Sequence, residues 1–196
     1  MKTFILVALI FAPASSAHAV TRTWTGNGSD NFWSTAANWS PSGAPQNGDD
    51  LVFPGQANRL SSVNNLAGRR FISLLFNGMI GFGEPGDTLT ISGSPIVISN
   101  GVSAAHQNGL VRIQLNLILA QNQAFDVTVH RLNLEGDVNL NGHNLLLFPA
   151  LDSASMTFYG FIHGVGDLTK VGLGMSSFVG VTGNTYEGSM SVNQGT

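Results

Sequence analysis

Val111-Arg112-Ile113-Gln114-Leu115-Asn116-Leu117-Ile118-Leu119 alternates apolar and polar residues along almost its whole length. A period of two belongs to a β-strand, where successive side chains point to opposite faces. Val111, Ile113, Leu115, Leu117 and Leu119 fall on one face, and Arg112, Gln114 and Asn116 on the other. Burying each aliphatic side chain is worth about 1.5–3 kcal/mol, so the apolar side must face a core. Outward from this stretch the pattern recurs. Leu89 and Ile91 alternate with Thr88, Thr90 and Ser92; Phe125, Val127 and Val129 alternate with Asp126, Thr128 and His130; Val138 and Leu140 alternate with Asn139 and Asn141.

Turn signals separate these runs. Asn77-Gly78, Ser92-Gly93, Asn100-Gly101, Asn108-Gly109 and Asn141-Gly142 supply positive φ at low cost. No segment after residue 19 sustains a helical period, so the reading is all-β: a sandwich, a barrel or a solenoid. Repetition favours the last. Gly86-Asp87-Thr-Leu-Thr-Ile-Ser-Gly93, Gly136-Asp137-Val-Asn-Leu-Asn-Gly142 and Gly166-Asp167-Leu-Thr-Lys-Val-Gly172 echo one another. Their spacing suggests coils of roughly 25 residues, within the range of repeat architectures. The expected fold is a parallel β-helix, or β-solenoid, over residues 59–196, with stacked coils burying a ladder that no single coil could bury alone. The Asn-rich turns (Asn64-Asn65, Asn141, Asn144) are expected to stack into amide ladders.

The chain opens with Lys2, an apolar run from Phe4 to Phe11, Pro13, and small residues ending in Ala17-His18-Ala19. That is the grammar of a secretory signal peptide cut after residue 19. The run is too short for a permanent span, and no later segment is long and apolar enough for one. Cleavage removes Lys2 and leaves seven Lys and Arg against eleven Asp and Glu, a net charge of −4, with Lys170 as the sole lysine. Such a surface disfavours nucleic acid. There is no cysteine, so thiol nucleophiles and cysteine metal sites are excluded. Charged residues make up only 10% of the chain, against about a quarter in ordinary domains; amides and hydroxyls keep the surface wet.

Residues 20–58 differ in texture. They hold all three tryptophans, Trp24, Trp33 and Trp39, amid Gly, Asn, Ser and Pro. The expected role is an N-terminal cap over the first coil, since an open solenoid end exposes unpaired strand edges. The alternative is that the indoles stack on sugars, because aromatic faces suit carbohydrate C–H surfaces. His143 and His163 stand 20 residues apart, but no third ligand matches that spacing, and no metal site is expected. A glycan-cleaving β-helix would need clustered carboxylates beside a cation. Asp126 with Asp152, and Arg112 with Arg131, are the pairs spaced for neighbouring coils. Other acidic residues sit at turns, where they serve local hydrogen bonds. No catalytic residue and no cofactor are assigned.

One segment carries a family likeness. Leu168-Thr169-Lys170, Gly172 and Gly174, then Gly183-Asn184-Thr185-Tyr186 with Gly188, then Val192 with Gly195-Thr196, resemble the autotransporter-associated β-strand repeat. The likeness proper covers about residues 166–196. Trp24-Thr-Gly26, Trp33-Ser-Thr-Ala-Ala-Asn-Trp39 and Gly48-Asp-Asp-Leu-Val-Phe53 are similar to the start of exported proteins carrying that repeat. Residues 175–182 depart from the short Thr-Leu-Thr-Leu-Ser strand of the repeat, and the sequence given stops at Thr196, where the repeat runs on, so a truncated repeat is expected. The resemblance implies a secreted or surface-displayed passenger and transfers no catalytic residue. The expected function is therefore a non-enzymatic, exported scaffold, extracellular or at the cell surface. A carbohydrate-binding or adhesive module is the alternative, and a glycan-cleaving enzyme the second. The expected partners are cell-surface glycans, other surface proteins, or a second copy joined tail to tail.

Overall fold

The structure is a computed structural model that describes residues 19–81, 87–179 and 183–196. Strands β1 (Thr21–Trp24) and β2 (Trp39–Ser40) come first, with a 3-10 turn at Ala36–Asn38 before β2. Six coils of three strands follow. They are β3 (Asp50–Pro54), β4 (Ser61–Asn64) and β5 (Arg69–Phe71); β6 (Leu74–Gly78), β7 (Thr88–Gly93) and β8 (Ile96–Ile98); β9 (Val102–His106), β10 (Leu110–Ile113) and β11 (Leu117–Leu119); β12 (Gln123–Val127), β13 (Arg131–Leu134) and β14 (Val138–Asn139); β15 (Leu145–Pro149), β16 (Ser155–Phe158) and β17 (Ile162–Val165); β18 (Leu168–Lys170), β19 (Met175–Phe178) and β20 (Thr185–Glu187). A last strand, β21 (Met190–Val192), begins a further coil.

Every third strand stacks in parallel, giving three sheets. The first sheet runs β2-β1-β3-β6-β9-β12-β15-β18-β21; the second runs β4 to β19; the third runs β5 to β20. The protein is a parallel β-solenoid of about six turns. Alternation fixes what each strand turns inward. Leu51, Leu74, Val102, Phe125, Leu147 and Lys170 belong to the interior face of the first sheet. Leu89, Val111, Leu132 and Met156, with Ile91, Ile113, Leu134 and Phe158 beside them, line the second. Ile96, Leu117, Val138 and Ile162 line the third. The stretch 111–119 thus makes two strands, β10 and β11. Its buried alternation continues round the corner through Leu115.

The coil length differs from the expected 25. Steps between these interior residues of the first sheet are 23, 28, 23, 22 and 23 residues. The Gly-Asp echoes misled because they are not one position repeated. Asp87 precedes β7 of the second sheet, Asp137 precedes β14 of the third, and Asp167 precedes β18 of the first. Gly86 lies outside the described residues. The motif marks corners, and a three-sided coil has three of them. In the segment 175–182, β19 covers Met175–Phe178 and pairs in register with β16; residues 180–182 lie outside the described residues.

At the N-terminal end β1 pairs antiparallel with β2 and parallel with β3. β3 lies inside the 20–58 segment yet already belongs to the first coil. The three indoles close the interior. Trp24 and Trp39 meet edge to face at 5.2 Å, as do Trp33 and Trp39 at 5.8 Å. Trp33 continues onto Phe53, and Phe53 stacks on Phe76. Each indole N–H has a partner: Trp24 donates to the Arg59 carbonyl (2.8 Å), Trp33 to Ser62 Oγ (3.0 Å) and Trp39 to the Trp33 carbonyl (2.9 Å).

Candidate functional site

The corners use polar side chains as staples between coils. Asn122 Oδ1 accepts from the Asn144 amide (2.9 Å), Asn144 Oδ1 from the Asp167 amide (3.0 Å), and Asp167 Oδ1 from the Ser189 amide (2.8 Å). This run of Asx acceptors precedes the first sheet. A second precedes the third sheet, where Asn116 Oδ1 accepts from the Asp137 amide and Asp137 Oδ1 from the Phe161 amide, both at 2.9 Å. Backbone amides that a corner would leave unpaired are satisfied by the neighbouring coil. The Ser189 bonds hold the Asp167 carboxyl below its ordinary value. Among the expected ladder residues, Asn144 is in a run. Asn141 instead donates to the Leu119 carbonyl, and Asn64 to the Ser94 carbonyl. Asn65 donates to Ser34 Oγ in the cap.

The richest side-chain cluster lies on the outer face of the second sheet. Arg112, Asn133 and Thr157 share one register position, and Gln114, Glu135 and Tyr159 follow the strands two residues on. Arg112 meets Glu135 through two bonds, Nε to Oε1 at 2.6 Å and Nη2 to Oε2 at 2.9 Å, and Gln114 Nε2 adds a third at 3.0 Å. Partial burial pushes the Glu135 carboxyl up, but the Arg112 and Gln114 bonds outweigh it and hold it below its ordinary value. With Leu110, Asn133 and Tyr159 the pair lines a shallow depression of about 420 Å³. Tyr159 is 47% exposed. The arrangement offers planar polar groups beside an open aromatic ring, which suits binding.

The sequence-predicted sites scatter. Trp24, Trp33 and Trp39 are 1%, 0% and 3% exposed, so no indole face is open to a sugar. Their size, which made them attractive as stacking platforms, instead fills the solenoid mouth. Asp126 sits on the first sheet and accepts from Ser103 Oγ (2.8 Å); Asp152 lies in the turn after β15. Arg112 and Arg131 share the second sheet out of register: Arg112 is opposite Asn133, and Arg131 opposite Leu110. The paired carboxylates and the paired cations therefore do not form one group. His163 lies opposite Asn139 on the third sheet, while His143 occupies the turn into β15. Among the described residues, no group of three His, Cys, Asp or Glu side chains could hold a metal.

The repeat-like residues form one mechanical unit. Lys170 is 1% exposed and turned into the interior. Its ammonium donates to the Gly172 carbonyl (2.8 Å) and the Gln194 carbonyl (2.7 Å), and burial lowers its pKa. Leu168 pairs with Met190, Thr169 with Ser191 and Lys170 with Val192. Asn184 Oδ1 accepts from the Ile162 amide (2.8 Å). Tyr186 packs against the core.

Sequence reading missed the grouping of Arg112, Asn133, Glu135 and Tyr159. With the 22–23-residue coil in hand, the signal is the spacing of Gln114, Glu135 and Tyr159; with a 25-residue coil they do not align. It also missed His106 and Asp49, both buried. Among the described residues, no helix is long and apolar enough to cross a membrane. No family model matches the chain, and no curated protein or solved structure matches it. Fold and site together define a six-turn parallel β-solenoid closed at one end by an aromatic plug.

Proposed function

We propose that this chain is an exported, non-enzymatic scaffold, a passenger-like β-solenoid of the kind suggested by the autotransporter-associated repeat. The observation that carries this is the Lys170 clamp. In the likeness over residues 166–196, the Leu-Thr-Lys element and the Val192–Thr196 element are separate pieces of sequence, and here the lysine of one binds a carbonyl of the other. In this reading those residues serve to build a coil. The test is expression of the full chain with its own leader in a bacterial host. Material outside the cytoplasm, trimmed at the N-terminus and inactive on a panel of polysaccharides, agrees with the reading. Untrimmed cytoplasmic material or bond cleavage refutes it.

A second reading, glycan binding, is favoured by the outer face of the second sheet rather than by the tryptophans. The spacing between neighbouring rungs, about 4.8 Å, is close to the length of one sugar in an extended chain. Tyr159, the Asn133 amide and the Arg112–Glu135 pair would meet successive sugars. Calorimetric titration with linear neutral and uronate oligosaccharides checks this. Tyr159→Ala should weaken binding about tenfold; binding unchanged by Tyr159→Ala removes this face from consideration.

A further inference from the structure

Asp49 is a carboxylate almost sealed from solvent. It is 3% exposed and lies just before β3. Its Oδ2 accepts from Arg22 Nε at 3.2 Å and from the Gln46 amide at 2.8 Å. Its Oδ1 accepts from the backbone nitrogen of Val20, at 3.2 Å. Val20 is also the residue that follows Ala17-His18-Ala19, where a signal-peptide cut falls. The pattern that marks the cut and the carboxylate that receives the nitrogen are independent observations, one in the leader and one 29 residues beyond Val20, at the first coil.

We propose that cleavage after Ala19 turns the Val20 nitrogen into an ammonium that docks on Asp49 and latches the cap to the first coil. This rests on the export reading above. The chemistry is hydrolysis of one peptide bond. Water is consumed, Ala19 leaves with the leader as a carboxylate, and Val20 keeps the nitrogen as an α-ammonium at neutral pH. Before the cut that nitrogen is a neutral amide with a single N–H. Afterwards it is a cation with three donors, and the contact with Asp49 becomes a charge-assisted bond in a poorly hydrated place.

The surroundings fit a latch. Val20 leads directly into β1, the strand that joins the cap to β3, and the Asp50 amide donates to the Val20 carbonyl at 3.1 Å. Arg22 is fixed from two sides, since its Nη1 also donates to the Pro41 carbonyl at 2.8 Å. Asp49 would then sit between two cations, Arg22 and the new terminus. The other charged groups nearby are engaged elsewhere: Asp50 accepts from Ser73 Oγ, and Arg69 donates to Gln46. Removing one partner from a buried pair is costly because the other charge is left without compensation, so the completed site should resist fraying of β1.

The experiment uses the full chain with its leader, exported by the host, beside a version with Gly-Ser inserted between Ala19 and Val20. Mass spectrometry reads the mature start of each, and thermal unfolding is followed across the ordinary α-amino range near pH 8. The expected result is a native product starting at Val20. The Gly-Ser product should unfold about 2–4 °C lower at pH 7. A terminal ammonium held by a carboxylate loses its proton at higher pH than a free one. Its stabilisation is therefore full below the ordinary value and disappears as pH rises through the bound value. The native start should show that loss and the Gly-Ser start should not. In an Asp49→Asn background the insertion should make no further difference. A Val20 start with identical melting and pH profiles overturns the latch and leaves export intact. A chain that is never cut, or is cut elsewhere, overturns both.

Discussion

His106 ends β9 with its ring sealed inside the solenoid at 0% exposure. Among the described residues neither ring nitrogen has a hydrogen-bond partner. The His130 ring lies 5.9 Å away, tilted by 34°. Burial first, and the charge of His130 second, move the His106 pKa from 6.5 down to about 4, against a smaller opposing influence of the Gly109 backbone. The sign of the consequence follows. The unfolded chain takes up a proton at His106 as pH falls below 6.5, while the folded chain refuses it until about 4. Stability is whole above 6.5 and drains between those values, with no further loss from this group below about 4. A shift of that size corresponds to about 3 kcal/mol. The perturbation is His106→Leu, which keeps an apolar side chain in place and removes the proton site. Denaturant unfolding of both proteins between about pH 7.5 and pH 4 is the assay. The wild-type free energy should fall faster than that of the variant by about 3 kcal/mol, with carboxylate titrations cancelling in the difference. At neutral pH the variant should be at least as stable, because two buried unpaired nitrogens, at about 1–3 kcal/mol each, are gone. Parallel pH profiles would show that the ring reaches solvent or a partner and would refute the reasoning.

Leu117→Asp should unfold the domain, since an unpaired carboxylate in an apolar column costs several kcal/mol. Asn116→Asp should be mild, because a carboxylate can still accept from the Asp137 amide; equal melting temperatures for the two would reject the inward assignment of Leu117. Lys170→Met should barely move global stability, as relief from burying an ammonium offsets the lost bonds. It should nevertheless speed hydrogen exchange at the Ser176 amide, which donates to the Thr196 carbonyl, about tenfold by loosening that segment; unchanged exchange would mean the clamp is idle. Met190, Val192 and Val179 are exposed towards the far end of the stack, and exposed strand edges template further strands. Sedimentation velocity should therefore show concentration-dependent tail-to-tail self-association, and a monomer at every concentration would refute it.

The inward face was legible because it depends on a period of two, which holds through corners: Leu115, in the turn between β10 and β11, is as buried as Ile113 and Leu117 on either side of it. The coil length was not. It depends on which corner each Gly-Asp marks, and corners of all three kinds call on the same small, turn-forming residues and the same side-chain acceptors. The indoles were legible as a plug through their clustering and not as a glycan platform. Alternation from Leu168 puts Lys170 inside, but its charge argues for the surface until the two carbonyls that receive it are seen. Asp49 depends on contacts with Val20 and Arg22, 29 and 27 residues away, and nothing local in the sequence announces them.

One step along the first sheet is unlike the others. Leu74 and Val102 are 28 residues apart where the neighbouring steps take 22 or 23, yet they pair in the same parallel register. The extra length falls between Gly78, the end of β6, and Thr88, the start of β7. Closing a longer loop is inexpensive, about 0.6 kcal/mol for each doubling of its length, whereas shifting a rung by one residue would turn its apolar set outward. The fold therefore separates two kinds of sequence change. Alterations along the strands are constrained residue by residue, while additions at this corner leave the stack in place. A foreign peptide grafted there would be held at a fixed height on the column, so the corner is an address where evolution or an engineer can write new sequence without rewriting the core.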